Sequence, residues 1–567
     1  MKQDTDYNEN AANRKSYVGE IHKLGEKKQK DNILNSLPQK WAKLHRSGTI
    51  HIHDLDAYGL TYNCLTFDIL SAFPYKRFTN LKSESKIIAV FDFFKELFAK
   101  MGNEQSGGMA FANFDIEVAS IFEKLDVDFE HYTSIFEGAI SSLIAWCNNL
   151  HTRMGYTSYY VTLNIGLGTS KFARFISSTL LDSFYISDDL TYKPNIVFKV
   201  KHGINQQPND PNYDILQKAL LCTCKKMIPT YLLCDCKADK EIAPENLSVM
   251  GCRTRVVDNL FSSEKGAIGR GNIANISINL LRIAFDVEHE NEGKSINQKI
   301  DILKEKWINL ANIVVDILID RYHKTCRSDI SQFPTNQEYK LWNKDIKAGL
   351  ENMFKHGTLS IGFIGLSETM EIITKHKFWE NKSYLDIAID FVRFMRNYID
   401  SVRDKQHLNF SLLATSGELI SGRFVDLDKE KFGNRKVMTK NFYTNSFHIE
   451  VDSRLPAWDK IEIEGHFHEY TNGGSITYVE LSEAPIGNIE GLEELVNVAI
   501  KSGVRYLGFN YPKDICDNCN ASGTFDICPS CGEKTRITRV RRVSGYLEKE
   551  SGFTKGKTYE SKTRKPN

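Results

Sequence analysis

The sequence predicts an α/β fold in which buried, largely parallel strands alternate with amphipathic helices. Short runs rich in β-branched and aromatic residues lie between longer segments whose apolar residues recur every three or four positions. Of the 567 residues, 41% are hydrophobic and 26% are charged, which is enough apolar material for a large core and excludes general disorder. The alternation of the two patterns along the chain is typical of strand–helix–strand architecture.

The individual elements follow from local patterns. The first 30 or so residues are polar and predict a loose segment, and a helix is expected over about 31–46. The short HIHDLD segment at 51–56 predicts a strand end or a loop. Helical spacing of apolar residues from Ile87 to Met101, and again over about 296–324, predicts two amphipathic helices. Strands are predicted over 159–165, 196–200, 273–280, 359–364, 408–413 and 475–479.

Charge and hydropathy exclude several classes of protein. Lys and Arg total 73 against 72 Asp and Glu, so the net charge of +1 gives no basis for whole-surface binding of nucleic acid. No apolar run reaches the ~18 residues of a membrane-spanning helix. The polar first 15 residues lack the apolar segment of a secretion signal. We therefore expect a cytoplasmic protein with no membrane and no nucleic-acid partner, whose cysteines stay reduced.

Four cysteines near the C-terminus have the spacing of a metal site. Cys516 and Cys519 form one CxxC pair, and Cys528 and Cys531 form a second. Two such pairs place four thiolates around one tetrahedral ion, for which zinc is the usual choice. Because a four-thiolate site leaves no open position for a substrate, its predicted role is structural, and it would hold the C-terminal segment in place.

A second motif follows shortly after these cysteines. Gly545 lies in RRVSGYL at 541–547, which resembles the signature of the glycyl radical enzymes in its residues and in its placement near the C-terminus. Glycine suits a stored radical because a side chain at Cα would crowd the planar radical centre. Such a radical needs a thiol near the substrate, and the candidates are Cys252, within MGCRT at 250–254, and Cys64. Taken alone, each cysteine could instead be a small buried apolar residue.

Further motifs extend over nearly the whole chain. They are HIHDLD at 51–56 with Asn63-Cys64, GGMAFAN at 107–113, DPNYD at 210–214, MGCRT at 250–254, GRGN at 269–272, INL at 278–280, LLATSGEL at 412–419, YTNSFH at 443–448, GGSITYVEL at 473–481, the four cysteines and RRVSGYL. In order and spacing, this set resembles the catalytic subunit of the anaerobic, class III ribonucleoside-triphosphate reductases.

The resemblance implies a fold and a division of the chain. The fold would be a ten-stranded α/β barrel of the glycyl radical enzyme and ribonucleotide reductase type, with a finger loop inside the barrel and a zinc-binding glycyl radical segment at the C-terminus. Residues 1–50 would form a polar extension and helix, too short for a full ATP-cone domain. Residues 51–510 would form the barrel with dimer-interface helices, 511–535 the zinc site, and 536–567 the radical loop and basic tail.

The resemblance also implies roles for single residues. Gly545 would store the radical, and Cys252 would become the transient thiyl that abstracts the ribose 3′ hydrogen. Cys64 would donate hydrogen as the 2′ hydroxyl leaves as water, and Asn272 would contact the substrate hydroxyls.

The LLATSGEL segment reads as a strand followed by the start of a helix. Thr415 and Ser416 could offer hydroxyls, and the helix its N-terminal amides, to a substrate phosphate. An ordinary helix cap is the alternative. Ser416-Gly417 replaces the family's proline-alanine pair, which alters the geometry expected for a phosphate loop, and Leu281 replaces a common proline.

The implied reaction is the anaerobic reduction of ribonucleoside triphosphates to deoxyribonucleoside triphosphates for DNA precursor synthesis. Formate is the implied reductant, because Asn272 is present and no extra redox cysteine pair lies near the glycine loop. A separate activase, which holds an iron–sulfur cluster and S-adenosylmethionine, would generate the glycyl radical after translation. A homodimer with a specificity site for a nucleotide effector is also implied, with the helix of about 85–102 at that site.

Two other functions compete with this interpretation. A glycyl radical acyl lyase of the pyruvate formate-lyase kind shares RVSGY and a catalytic cysteine, but those lyases use an adjacent Cys-Cys pair that this sequence lacks. They also lack the four-cysteine site. A zinc-ribbon nucleic-acid-binding protein accounts for residues 516–567 and leaves the other motifs unexplained. Reduction of ribonucleoside triphosphates is therefore the expected function.

Overall fold

The computed structural model describes residues 16–149, 159–342 and 348–567, and ten strands of this part of the chain form a ring. Each half of the ring has five strands. The first half contains β2 (Cys64–Phe67), β3 (Met109–Phe111), β4 (Val161–Ile165), β5 (Asn195–Val200) and β6 (Thr230–Leu233). The second half contains β7 (Arg270–Asn279), β8 (Thr358–Ile364), β9 (Phe410–Ala414), β10 (Thr477–Glu480) and β11 (Tyr506–Asn510). A short strand, β1 (Ile50–Ile52), pairs antiparallel with β7 beside the ring.

Neighbouring strands are parallel within each half and antiparallel where the halves meet. The two antiparallel junctions join β2 to β7 and β6 to β11. In the second half, Leu413 of β9 and Gly474, just before β10, form a parallel bridge that closes the ring. Every residue of β8 and β9 is buried, as expected for parallel strands covered on both faces. The predicted ten-stranded α/β barrel is confirmed.

Helices connect the strands and cover the outside of the barrel. Their bounds are α1 Tyr17–Ser36, α2 Gln39–Ser47, α3 Ile69–Ala72, α4 Ser83–Met101, α5 Phe114–Lys124, α6 Thr133–Asn148, α7 Lys171–Ile186, α8 Tyr213–Lys226, α9 Leu280–Glu290, α10 Ile296–Cys326, α11 Pro334–Tyr339, α12 Leu350–Phe354, α13 Leu366–Thr374, α14 Lys382–Gln406, α15 Ile420–Phe432, α16 Ala457–His468, α17 Ile489–Lys501 and α18 Lys555–Thr563. Within the described ranges, no helix combines the length and the apolar composition needed to cross a membrane.

The N-terminal region differs from the prediction. The segment expected to be loose is helical from Tyr17, and the side chain of Ser16 caps this helix by accepting a hydrogen bond from the Gly19 amide, 2.9 Å away. The single helix expected over about 31–46 is two helices, α1 and α2. Pro38 separates them, because a proline disfavours the helical conformation of the residue before it, and Leu37 is extended. Residues 1–15 lie outside the described residues.

The other predicted elements are confirmed with small shifts of their ends. The two long amphipathic helices are α4 and α10, and the six predicted strands are β4, β5, β7, β8, β9 and β10. The sequence analysis did not identify β2, β3, β6 and β11, because runs of three to five apolar residues have no distinctive periodicity.

A second, four-stranded sheet lies at the C-terminal end. It contains β12 (Lys513–Cys516), β13 (Ser522–Gly523), β14 (Ile537–Arg542) and β15 (Leu547–Lys549), in the order β13-β12-β14-β15. Gly545 lies in the connection between β14 and β15. Helix α18 then packs on α15, where a Cβ on Gly556 would lie 2.8 Å from the Gly422 Cα. The segment that contains Gly545 is therefore held between the small sheet and the barrel.

Candidate active site

The connection from β6 to β7 contains, near its middle, a tight turn that presents Cys252. Met250 and Thr254 exchange two backbone hydrogen bonds, of 3.0 and 3.2 Å, and the three residues between them form the tip. Gly251 has a φ of +58°, a backbone conformation that side chains disfavour, which explains the glycine next to the cysteine. The expected finger loop is therefore present, with Cys252 at its tip.

The loop is fixed inside the barrel from both halves of the sheet. The Asn164 side chain of β4 accepts a hydrogen bond from the Val249 amide at 3.2 Å. From the other half, the Tyr478 hydroxyl accepts a hydrogen bond from the Arg253 guanidinium at 3.0 Å. A Cβ on Gly474 would overlap the Arg253 carbonyl oxygen, so the loop lies directly against the chain that leads into β10. Such packing holds Cys252 in one position.

Gly545 packs directly on the backbone of Cys252. A Cβ placed on Gly545 would overlap the Cys252 carbonyl group and lie 2.6 Å from its Cα, a separation that real Cβ atoms do not reach. Only glycine fits this contact. The Arg542 guanidinium donates a 3.3 Å hydrogen bond to the Gly545 carbonyl and another to the Phe509 carbonyl at 3.2 Å, which ties the loop to the end of β11.

Cys64 lies on the wall of the same cavity as Cys252. It begins β2, and its sulfur accepts a hydrogen bond from the Gly108 amide at 3.2 Å. The Cys64 thiol donates to the Asn63 side-chain oxygen at 2.7 Å, and the Asn63 amide nitrogen donates to the Asp54 carboxylate at 2.5 Å. Asp54 thereby orients Asn63, and Asn63 orients the thiol hydrogen of Cys64.

Burial keeps the Cys252 thiol in its protonated form. Burial raises the pKa of this thiol, although the nearby Arg253 guanidinium opposes the rise. A thiol rather than a thiolate is the form that can give up a hydrogen atom. The protonated Cys252 and Cys64 therefore line one cavity.

Thr415 and Ser416 lie on the cavity wall between β9 and α15. Ser416 and Cys252 both line this part of the cavity. The Thr415 hydroxyl is 2.8 Å from the Ser277 hydroxyl, which lies 2.8 Å from the His53 ring. Thr415, Ser416 and His53 therefore form a polar part of the cavity wall, and Ser277 links two of them from behind.

The four cysteines come together in the small sheet. The sulfur atoms of Cys516, Cys519, Cys528 and Cys531 all lie within 4.8 Å of one another. The Cys516 and Cys531 sulfurs are 3.6 Å apart, and those of Cys519 and Cys528 are 3.5 Å apart. Tetrahedral zinc with Zn–S bonds of about 2.3 Å places its ligands about 3.8 Å apart, so this cluster could hold a zinc ion.

Comparisons with known proteins agree with this geometry. A family model described as anaerobic ribonucleoside-triphosphate reductase matches residues 9–566. The chain belongs to this family.

Relatives of the same description are similar over most of their length. The anaerobic ribonucleoside-triphosphate reductase of Escherichia coli is 30% identical, over 93% of this chain and 78% of its own. That of enterobacteria phage T4 is 29% identical, over 93% of this chain and 91% of its own. The chain is thus an oxidoreductase of the family that reduces ribonucleoside triphosphates under anaerobic conditions, as the sequence predicts.

Solved structures show the same fold at low identity. An anaerobic ribonucleotide reductase has a TM-score of 0.74 at 14% identity and covers 97% of this chain and 90% of its own. The Thermotoga maritima anaerobic ribonucleotide reductase in complex with dATP and CTP has a TM-score of 0.69 at 13% identity. The match covers 96% of this chain and 92% of the Thermotoga chain. A glycyl radical enzyme from Archaeoglobus fulgidus has a TM-score of 0.53. The fold is therefore shared with anaerobic ribonucleotide reductases and with a glycyl radical enzyme.

Asn272 does not lie on the cavity wall in this reductase chain. It pairs with Cys64 across the β2–β7 junction, but its side-chain nitrogen donates to the Ser360 hydroxyl at 2.8 Å and to the Thr358 hydroxyl at 3.1 Å. Asn275, three residues later, lines the cavity instead. The role of Asn272 toward the substrate stays a prediction.

The sequence analysis did not single out three polar residues of the site. Asp54 and Ser106 surround Asn63, and the Ser106 hydroxyl donates to Asp54 at 3.0 Å. Glu418 accepts hydrogen bonds from both neighbours of Gly545 in the chain. Asp54 and Glu418 lie within quoted motifs, HIHDLD and LLATSGEL, so the signal was present, but only the fold indicates what each side chain contacts.

Proposed function

We propose that Gly545 stores the radical of this reductase and that Cys252 and Cys64 act on the ribose from one cavity. The observation that supports this most directly is the position of Cys252. Its backbone contacts Gly545, and its thiol faces the cavity that Cys64 also lines. Hydrogen transfer requires such short separations, because the reacting atoms must approach to about van der Waals distance.

The proposed reaction balances with formate as the reductant. The Gly545 radical takes the hydrogen of the Cys252 thiol, and the resulting thiyl takes the 3′ hydrogen of the ribose. Cys64 gives its hydrogen as the 2′ hydroxyl leaves as water. Formate gives its hydrogen atom to the Cys64 thiyl, and the resulting carbon dioxide radical anion passes its electron to the 3′ carbonyl of the sugar, which takes up a proton, and leaves as carbon dioxide. Cys252 then returns its hydrogen to the 3′ carbon, and the Cys252 thiyl regains a hydrogen from Gly545, which restores the glycyl radical. One formate and one proton are consumed for each deoxyribonucleotide and each water formed.

The substrate phosphates would lie at the β9–α15 segment. Thr415 and Ser416 supply hydroxyls there, and α15 begins at Ile420, so the N-terminal end of its dipole adds positive potential. This placement leaves the ribose between the two thiols.

Generation of the radical requires a separate activase with S-adenosylmethionine and an iron–sulfur cluster. Residues 543–546 are enclosed: Ser544 is fully buried, and Val543 is 1% exposed. An activase therefore reaches the Gly545 Cα only after the connection from β14 to β15 has left the barrel, which makes loop opening a step of activation.

Turnover tests the proposed function directly. The protein is mixed anaerobically with its activase, S-adenosylmethionine, CTP, an effector nucleotide and formate, and deoxycytidine triphosphate is measured together with the radical signal. We expect product, and we expect at least about a tenfold loss when formate is omitted. Product formed at an equal rate without formate would contradict formate as the reductant. A stable radical without any product would contradict the proposed use of Cys252 and Cys64.

We also propose that zinc fills the four-cysteine site and supports the radical loop. Cys516 ends β12, which pairs with β14, the strand that leads to Gly545. Replacing Cys528 by serine should therefore reduce the zinc content from about one per chain toward zero. Amide hydrogen exchange should become faster over residues 537–549, which is measured by mass spectrometry.

The matched control is Cys326→Ser, which changes a partly buried thiol outside the cluster. This variant should keep both its zinc and the slow exchange of residues 537–549. A Cys528→Ser protein with unchanged exchange in that segment would refute the supporting role, even if its zinc were lost.

We also propose that the protein forms a homodimer and binds a nucleotide effector at α4 and α6. These two helices form an outward-facing groove lined by Ile88, Phe91, Lys95 and Ala139. Ile88 is 55% exposed in this groove, so its apolar side chain is accessible to a second subunit. In the proposed division of the chain, α4 and α6 belong to the barrel unit, residues 51–510. The zinc site follows at 511–535, and the radical loop follows at 536–567.

A further inference from the structure

Glu418 holds the radical loop on both sides of Gly545. One carboxylate oxygen accepts a hydrogen bond from the Ser544 hydroxyl at 2.6 Å, and the other accepts one from the Tyr546 hydroxyl, also at 2.6 Å. All three side chains are buried. The Glu418 carbonyl accepts a third hydrogen bond, from the Thr554 hydroxyl beyond the loop, at 2.6 Å. The chain on either side of Gly545 is thus fastened to one residue.

Glu418 also belongs to the segment that lines the cavity. It follows Thr415 and Ser416 by two to three residues, and the chain turns at Gly417, which has a φ of +58°. Ser416 lines the cavity together with Cys252, while Glu418 accepts hydrogen bonds from both neighbours of Gly545. The short 415–418 segment therefore lines the cavity at one end and holds the radical loop at the other.

We propose that Glu418 is a positioning residue that seats the Gly545 loop against Cys252 and couples this seating to the 415–418 segment of the substrate cavity. The proposal rests on the proposed storage of the radical at Gly545. A carboxylate that accepts from two hydroxyls fixes both ends of the connection, since hydrogen bonds to a charged acceptor are shorter and stronger than neutral ones. Substrate bound beside Thr415 and Ser416 would stabilise the same segment and so favour the seated loop.

The seated loop must also be released, because the activase needs access to Gly545. Hydrogen bonds meet this requirement better than a packed apolar contact, since water can replace each bond when the loop leaves. Loss of the Glu418 bonds should therefore impair hydrogen transfer from the Cys252 thiol to the Gly545 radical without impairing activation. A variant that forms the radical normally but turns over slowly would therefore indicate a positioning role, whereas a general loss of stability would impair both steps.

The test compares Glu418→Gln with Asp426→Asn in the full-length protein. Glutamine keeps the shape of the side chain but has one acceptor oxygen, so it can accept from only one of the two hydroxyls. Asp426 forms an exposed ion pair with Lys555, which links α15 to the start of α18 without contacting the radical loop. Radical content by paramagnetic resonance, kcat per radical and KM for CTP are measured for both variants and for the wild type.

We expect Glu418→Gln to form the radical at least as fast as the wild type, and its kcat per radical to fall by about tenfold or more with KM within about twofold. Asp426→Asn should match the wild type in all three quantities. Ser544→Ala and Tyr546→Phe, which each remove one donor, should show smaller losses. Combining Tyr546→Phe with Glu418→Gln should not give the simple sum of the two single losses, because both changes act on the same hydrogen-bonded group.

The inference would be overturned if kcat per radical in Glu418→Gln lay within about twofold of kcat per radical in Asp426→Asn. The proposed function would then remain intact. If Glu418→Gln does not fold, the two single-donor variants decide the question, and wild-type turnover per radical in both would overturn it. Absence of a radical in the activated wild type would remove the proposed function and this inference together.

Discussion

Replacement of Gly545 by alanine should abolish turnover and remove the glycyl radical signal. Two independent effects contribute to this expected result. The first is chemical: a methyl group at Cα crowds the planar radical centre, so that the radical is no longer stored there. The second is steric, because the new Cβ would overlap the Cys252 carbonyl group. The loop would have to move away from the finger loop, at a cost of about 1–3 kcal/mol, which is typical of an overpacked site.

Three measurements separate the two effects of Gly545→Ala. Paramagnetic resonance after treatment with the activase reports the radical. Hydrogen exchange over residues 541–549 reports the seating of the loop. Exposure of the activated protein to air reports the position of the radical, since oxygen should cleave the wild-type chain at Gly545 and release the short peptide that follows.

Gly25→Ala is the matched control for this substitution. Gly25 lies within α1, and a Cβ there would meet no atom within 4 Å, so this variant should retain the radical, the slow exchange and the cleavage in air. An activated Gly545→Ala protein that gave the same fragment in air would refute Gly545 as the radical site. Retained turnover in that variant would refute it as well.

The sequence predicted those parts of the site in which the functional residues lie close together along the chain in a short, recognisable motif. The spacing of the four cysteines predicted their cluster, and the structure brings all four sulfurs together. The finger loop that the resemblance implied is present, and the positive φ of Gly251 permits the tight turn at its tip. Regular helical periodicity likewise predicted α4 and α10, because long amphipathic patterns are the most distinctive signal in a sequence.

The sequence could not predict contacts between residues that are distant along the chain. The hydrogen bonds from Ser544 and Tyr546 to Glu418 span more than a hundred residues and exist only because β9 ends beside the connection from β14 to β15. The side-chain direction of Asn272 depends on an irregular register between β7 and β8, which no local pattern indicates. The N-terminal helix was missed for a different reason, since its sequence is mostly polar and its apolar positions are few.

Replacement of Cys252 by serine should leave the radical intact and abolish the product. Serine is close to cysteine in size, so the contact between the loop tip and Gly545 should be preserved. Its O–H bond is much stronger than the S–H bond of cysteine, so the Gly545 radical cannot take its hydrogen. We expect a radical content near that of the wild type and turnover below about one-thousandth of it. Cys326→Ser should retain both quantities, because Cys326 lies at the end of α10, outside the cavity.

Comparison of Cys252→Ser with Cys64→Ser tests the order of the two thiols. If Cys252 forms the thiyl, a Cys252→Ser protein cannot begin the reaction, and its radical signal should persist after CTP is added. A Cys64→Ser protein retains the Cys252 thiol and can abstract the 3′ hydrogen, but it lacks the hydrogen donor for the next step. Its radical signal should therefore decay when CTP is added, although little deoxycytidine triphosphate is formed. The reverse pattern, in which CTP depletes the radical only in Cys252→Ser, would mean that Cys64 forms the thiyl. The direct backbone contact of Gly545 with Cys252 argues for the first outcome.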